Sequence, residues 1–170
     1  MITRTPDPLE SREPTVADLR YLCRALNARQ ARYIVIGGFA MAAIGYNRRT
    51  MDIDLLVDVT GTTRPESWTP LPICPTAPRV RLSREKSGND GDQGGDEIVV
   101  DLMQSACGID YARASTMLQV RDLDGVEIPF AAAELLWRMK RPTHREKDAA
   151  DLLFLSEWFR SRGIIPPEIE

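Results

Sequence analysis

Apolar positions change their spacing several times along this chain, and each change marks an element. Val16, Leu19, Leu22, Cys23 and Leu26 recur every three or four residues, which predicts a helix entered through Thr15 as N-cap with Asp18 behind it. The unbroken run Tyr33-Ile34-Val35-Ile36 reads as a short buried strand, closed by Gly37-Gly38. Phe39 to Ile44 has helical character and ends at Gly45. From Asp52 to Asp58 the period becomes two, with Asp52, Asp54 and Leu56 alternating against Ile53, Leu55 and Val57. A third strand is predicted over Glu97 to Met103. Asp124-Gly125, flanked by Met117 to Arg121 and Val126 to Pro129, signals a hairpin. Ala131 to Lys140 and Glu146 to Arg160 read as helices broken near Pro142, the second with Ala149, Leu152, Leu153 and Leu155 or Ser156 on its apolar side. The implied class is α/β (α+β): a small mixed β-sheet with packed helices and a helical C-terminal part.

The organisation that follows is a flexible, Pro-rich tail over 1–14 and a single domain over 15–165. Residues 60–95 interrupt that domain. They hold Gly61, Pro65, Pro70, Pro72, Pro75 and Pro78, then a polar Gly/Asp tract, and no helix or strand period is discerned there. A loop of that length is rare inside a compact domain. Two accounts fit the run Ser67 to Pro75: a natural insertion, or an out-of-frame reading of a helix between the second and third strands, with the frame regained near Gly95.

Composition narrows the function classes. No apolar run nears the ~20 residues that span a bilayer, and the N-terminus lacks the apolar core of a signal peptide, so a cytoplasmic location without membrane contact is expected. Three widely spaced cysteines and one histidine, His144, support neither a disulfide framework nor a zinc site. A net charge of −3 argues against general polyanion binding and leaves only a local basic stripe over Arg138 to Lys147.

The candidate chemistry lies in three carboxylates. Residues i and i+2 of a strand share a face, so Asp52 and Asp54 project together, and Asp101 converges on them if its strand pairs alongside. Hard oxygen ligands grouped in this way suit Mg²⁺ or Mn²⁺, which keep substrate phosphates among their ligands. Gly37-Gly38, between strand and helix, lets backbone amides approach a phosphate. Arg48 and Arg49 read either as a loop cap or as a phosphate or acceptor contact. Asp58 reads as a strand end, His144 as an exposed bystander, and Trp137 and Trp158 as core.

The segments Tyr33-Ile-Val-Ile-Gly-Gly-Phe-Ala-Met-Ala and Arg48-Arg-Thr-Met-Asp-Ile-Asp-Leu-Leu-Val-Asp58 together resemble the nucleotidyltransferases of the polymerase-β type. More narrowly, they are similar to the bacterial group of AbiEii-like toxins and minimal nucleotidyltransferases. The resemblance resumes over 96–108 and 128–151. It implies that Asp52, Asp54 and Asp101 hold catalytic metals, and that Gly37, Gly38, Arg49, Thr50, Lys140 and Lys147 lie against the nucleotide, with Arg145 and Asp148 nearby. Phe39 stands where the family often has Ser. The implied reaction moves an NMP from an NTP to an RNA (tRNA) or protein acceptor, and the implied setting is a toxin with a cognate antitoxin. Two other readings compete. One is an inactive nucleotidyltransferase-fold binding protein, favoured by the irregular 60–95 stretch. The other is an RNA-binding module using Arg138, Arg141 and Arg145.

Overall fold

The computed structural model describes residues 12–59, 79–83, 97–143 and 146–168. In chain order the elements are α1 (Val16–Ala28), β1 (Tyr33–Val35), α2 (Gly37–Ala43), β2 (Asp52–Val57), β3 (Arg79–Ser83), β4 (Glu97–Met103), β5 (Ser105–Ala106), β6 (Ile109–Asp110), α3 (Tyr111–Ala114), β7 (Leu118–Asp122), β8 (Glu127–Ala131), α4 (Ala133–Lys140), a 3₁₀ turn (Arg141–Thr143) and α5 (Glu146–Ser161). The main sheet has the order β3-β4-β2-β1-β8-β7. It is mixed: β1 runs antiparallel to β2 and parallel to β8, while β2 runs parallel to β4. The mixed α/β architecture with C-terminal helices matches the sequence reading.

Local chemistry accounts for the boundaries. Thr15 and Asp18 form a reciprocal capping box at the start of α1. Asp18 also accepts from Arg12 Nη1 and Nη2, at 2.7 and 2.8 Å, so the docked part of the chain begins inside the expected 1–14 tail. Leu19, Leu22, Cys23 and Leu26 of α1 are buried as the spacing predicts, whereas Val16 is exposed. The β7–β8 hairpin closes on Asp124 and Gly125, both at positive φ, with Leu123 and Val126 exchanging backbone hydrogen bonds.

Ile34, Leu55 and Leu56 are fully buried, and successive residues of a strand face opposite ways, so both faces of the central strands are covered. Burial drives the Cys23 thiol up to about 12, so this buried residue is an inert packing group. Trp137 is core, as expected, with its ring edge-on to Phe159.

Two expectations are corrected. A strand lies at 79–83, inside the stretch read as lacking any strand period; it pairs antiparallel with β4, Val80 opposite Val100 and Leu82 opposite Ile98. The Pro-rich flanks had masked the short Arg-Val-Arg-Leu-Ser alternation. The run 67–75 lies outside the described residues. In α5, Ala149 and Leu153 are exposed, and the helix instead buries Asp148, Asp151, Leu155 and Phe159. The inward stripe opens with carboxylates rather than apolar residues, which displaced the apolar reading around the helix. Among the described residues no helix is long and apolar enough to cross a membrane.

The Arg12 guanidinium and the Thr15 cap hold the Asp18 carboxyl far below the usual carboxylate range. A depressed folded-state pKa contributes stability above the unfolded value of about 3.9 and loses it as pH falls toward the folded value. Asp18→Asn is therefore expected to cost about 1–3 kcal/mol at neutral pH. In urea unfolding at a series of pH values, the gap between wild type and variant should close below about pH 4; a gap independent of pH would contradict this role.

Candidate active site

The parallel register of β2 on β4 places Asp54 opposite Asp101, with Asp52 opposite Val99. Paired strands lie about 4.8 Å apart. Asp52 and Asp54 share a face, so all three carboxylates converge, and each offers an oxygen within 4.8 Å of the other two. All three are half-buried. Thr50 steadies the first of them, its hydroxyl donating to Asp52 Oδ1 at 3.1 Å or to the Asp52 carbonyl at 3.2 Å. Three carboxylates with neither histidine nor thiolate form a hard donor set, which fits Mg²⁺ or Mn²⁺.

Gly37-Gly38 has a clear steric reason at this place. Gly37 sits at φ +63°, and a Cβ there would lie 2.7 Å from Asp54 Cγ. A Cβ on Gly38 would lie 2.6 Å from Thr50 Cβ. Both glycines thus let the start of α2 pass close to the carboxylate strand and to Thr50 in the loop that leads into it.

The carboxylates open into a cleft of about 630 Å³, lined also by Gly37, Arg48, Arg49, Thr50, Lys140 and Asp148. That volume is in the range of small-ligand sites. Lys140, at the end of α4, is buried, with Nζ 2.6 Å from Asp151 and 3.2 Å from Asp148. Thr143 donates to Asp148 at 2.6 Å. Arg48 reaches the same Asp151 through Nε at 2.9 Å and Nη2 at 3.1 Å. Arg49 is largely exposed and holds Glu13 at 2.9 Å.

The fold therefore brings Asp52, Asp54, Asp101, Gly37, Arg49, Thr50 and Lys140 to one cleft. Lys147 has its backbone in the first turn of α5, while His144 and Arg145 lie outside the described residues. Of the proposed basic stripe, Arg138 is engaged by Glu134 at 3.2 Å, and Arg141 lies over the Trp137 ring. Sequence reasoning missed Asp151. Its signal was present in two acids three residues apart, Asp148 and Asp151, followed by Leu155 at the next inward position.

No family model and no curated protein matches the chain by sequence. Among solved structures, an antigenic nucleotidyltransferase-like protein from Paracoccidioides brasiliensis superposes with a TM-score of 0.56, at 14% identity over 85% of this chain and 75% of that one. The chain adopts the nucleotidyltransferase fold. The lincomycin-bound lincosamide antibiotic adenylyltransferase LnuA is also similar, with a TM-score of 0.50 and 14% identity over 88% of this chain and 99% of that one. At such identities the likeness concerns the fold. The acidic cluster and its cleft are read from this chain's own residues.

Gly163 supplies a matched control for Gly37, since it has φ +65° with no atom near an added Cβ. Gly163→Ala should lose about 1–2 kcal/mol from the left-handed backbone alone. Gly37→Ala should lose clearly more, because its methyl must displace Asp54. Thermal unfolding of both variants measures the difference, and equal losses would show that Asp54 does not need the space.

Proposed function

We propose that this protein is a metal-dependent nucleotidyltransferase that moves an NMP from an NTP to an acceptor and releases pyrophosphate. The observation that carries the reading is the convergence of Asp52, Asp54 and Asp101 within 4.8 Å in a nucleotide-sized cleft. Held by these carboxylates, Mg²⁺ or Mn²⁺ would neutralise phosphate charge and orient the α-phosphate for in-line displacement.

The chain's own groups divide the remaining work. The acceptor oxygen forms a bond to the α-phosphorus, the bond to the β-bridging oxygen breaks, and pyrophosphate leaves with that electron pair. Asp101 takes the acceptor's proton. Asp52, steadied by Thr50, and Asp54, given room by Gly37, complete the acidic wall. By resemblance, Gly37, Gly38, Arg49, Thr50, Lys140 and Lys147 serve the nucleotide. Catalysis rests on positioning and electrostatics without a covalent enzyme intermediate.

The narrower reading places the protein with the AbiEii-like group, as a cytoplasmic toxin acting on RNA, tRNA in particular, or on a protein, and held in check by an antitoxin. It is supported by the Gly-Gly and Asp-x-Asp segments. An acceptor of small-molecule class has its precedent in the name of LnuA, an antibiotic adenylyltransferase.

The test is incubation with Mg²⁺, each α-labelled NTP in turn and a cell lysate, beside the Asp52→Asn/Asp54→Asn double variant. Label should enter one acceptor class with wild type and fall at least a hundredfold with the variant, on the scale of losing a principal electrostatic group. Label in RNA, protein or a small molecule names the acceptor. No incorporation from folded wild type would contradict the reading and favour an inactive binding protein.

A further inference from the structure

Resting on that reading, the network at the C-terminal side of the cleft assigns a role to a residue outside the acidic triad. Asp151 is fully buried in α5; its Oδ2 meets two cations, while its Oδ1 has Arg48 Nε at ion-pair distance without a hydrogen bond. Arg48 Nη2 donates to Oδ2 at 3.1 Å, and Arg48 Nε lies 2.9 Å from Oδ1 as an ion pair. Lys140 Nζ lies 2.6 Å from the same Oδ2. One carboxylate thus ties the loop before β2, the end of α4 and the body of α5.

Both cations line the cleft that holds the three aspartates. Their charges are needed there only if they stay at fixed positions, and a flexible lysine stem does not ensure that by itself. An ammonium group has three N–H donors. Two of Lys140's meet Asp148 and Asp151, which leaves one for a ligand among the described residues. The hydrogen bond from Nη2 and the ion pair at Nε restrict Arg48 in the same way. A second tie holds the same loop to α5: Tyr46 stacks on Phe154 with ring centroids 4.7 Å apart. Loss of the Asp151 charge should therefore loosen the two cations without detaching the loop.

We propose that Asp151 is a positioning residue that sets Arg48 and Lys140 to receive the β- and γ-phosphates, and so makes the cleft prefer a triphosphate over a monophosphate. Its effect belongs to the phosphates beyond the α position. Binding of an NMP, which lacks them, should not depend on it. A merely structural role would lower both affinities together.

The full chain and its Asp151→Asn and Asp151→Glu variants are titrated calorimetrically with each NTP and the corresponding NMP in Mg²⁺, after thermal unfolding has established that each variant is folded. Asp151→Asn should weaken NTP binding about tenfold, the scale of one charge-assisted hydrogen bond, and leave NMP binding within twofold. Asp151→Glu, which keeps the charge one methylene away, should fall between the two. If Asp151→Asn does not fold, Asp151→Glu carries the test with the same NTP-to-NMP ratio. An unchanged ratio, or equal weakening of both ligands, overturns the assignment. Wild type that binds no NTP overturns the transferase reading itself, and the two failures are thereby distinguished.

Discussion

The pairing of β2 with β4 sets Asp54 beside Asp101 and, through the two-residue period, adds Asp52 to the same face. Everything proposed for the cleft depends on that register. A slip of one residue would turn each aspartate to the opposite face of the sheet and bring Ile53 or Leu55 in its place. The register is held by Ile53, Leu55 and Val100, all fully buried, so hydrophobic burial at alternate positions secures a polar arrangement on the other side. Three like charges with oxygens within 4.8 Å of one another repel by about 3 kcal/mol per pair at an effective dielectric constant near 20. A divalent cation seated among the three would replace that mutual repulsion with attraction.

The same cleft also carries cations, themselves restrained. Arg48 and Lys140 meet the buried Asp151, and Asp148 adds a second carboxylate with Thr143 as its donor. Isolated buried charges would be costly, whereas here each has a partner at hydrogen-bonding distance. The network joins α4 and α5 to the loop that leads into the Asp-x-Asp strand. The C-terminal helices are in this way part of the site as well as part of the core.

Much of this was legible where the determinants are local. The Thr15 cap with Asp18 three residues on, the Asp124-Gly125 turn and the Asp52/Asp54 alternation depend on neighbours only a few residues apart, and the structure has each where the pattern put it. The inward face of α5 was not legible in the same terms. Periodicity is ordinarily written in apolar residues, but Asp148 and Asp151 are buried because Lys140 and Arg48 meet them, and those partners come from other elements. Leu153 and Ala149 suggested a different face for the same reason. The strand at 79–83 escaped notice because five residues carry little period against proline-rich surroundings, and its place is set by pairing with β4. Gly37 was read as a place for a phosphate to approach; its contact with Asp54 could emerge only from the packing of α2 on β2.

If the three aspartates form one divalent-cation site, Mn²⁺ should shift the melting temperature of the protein through them. In thermal unfolding of wild type and Asp54→Asn, Mn²⁺ should raise the melting temperature of wild type and leave that of the variant nearly unchanged, since a cation that binds only the folded state stabilises it by an amount that grows with the logarithm of its affinity. No shift in wild type, or the same shift in both proteins, would contradict it.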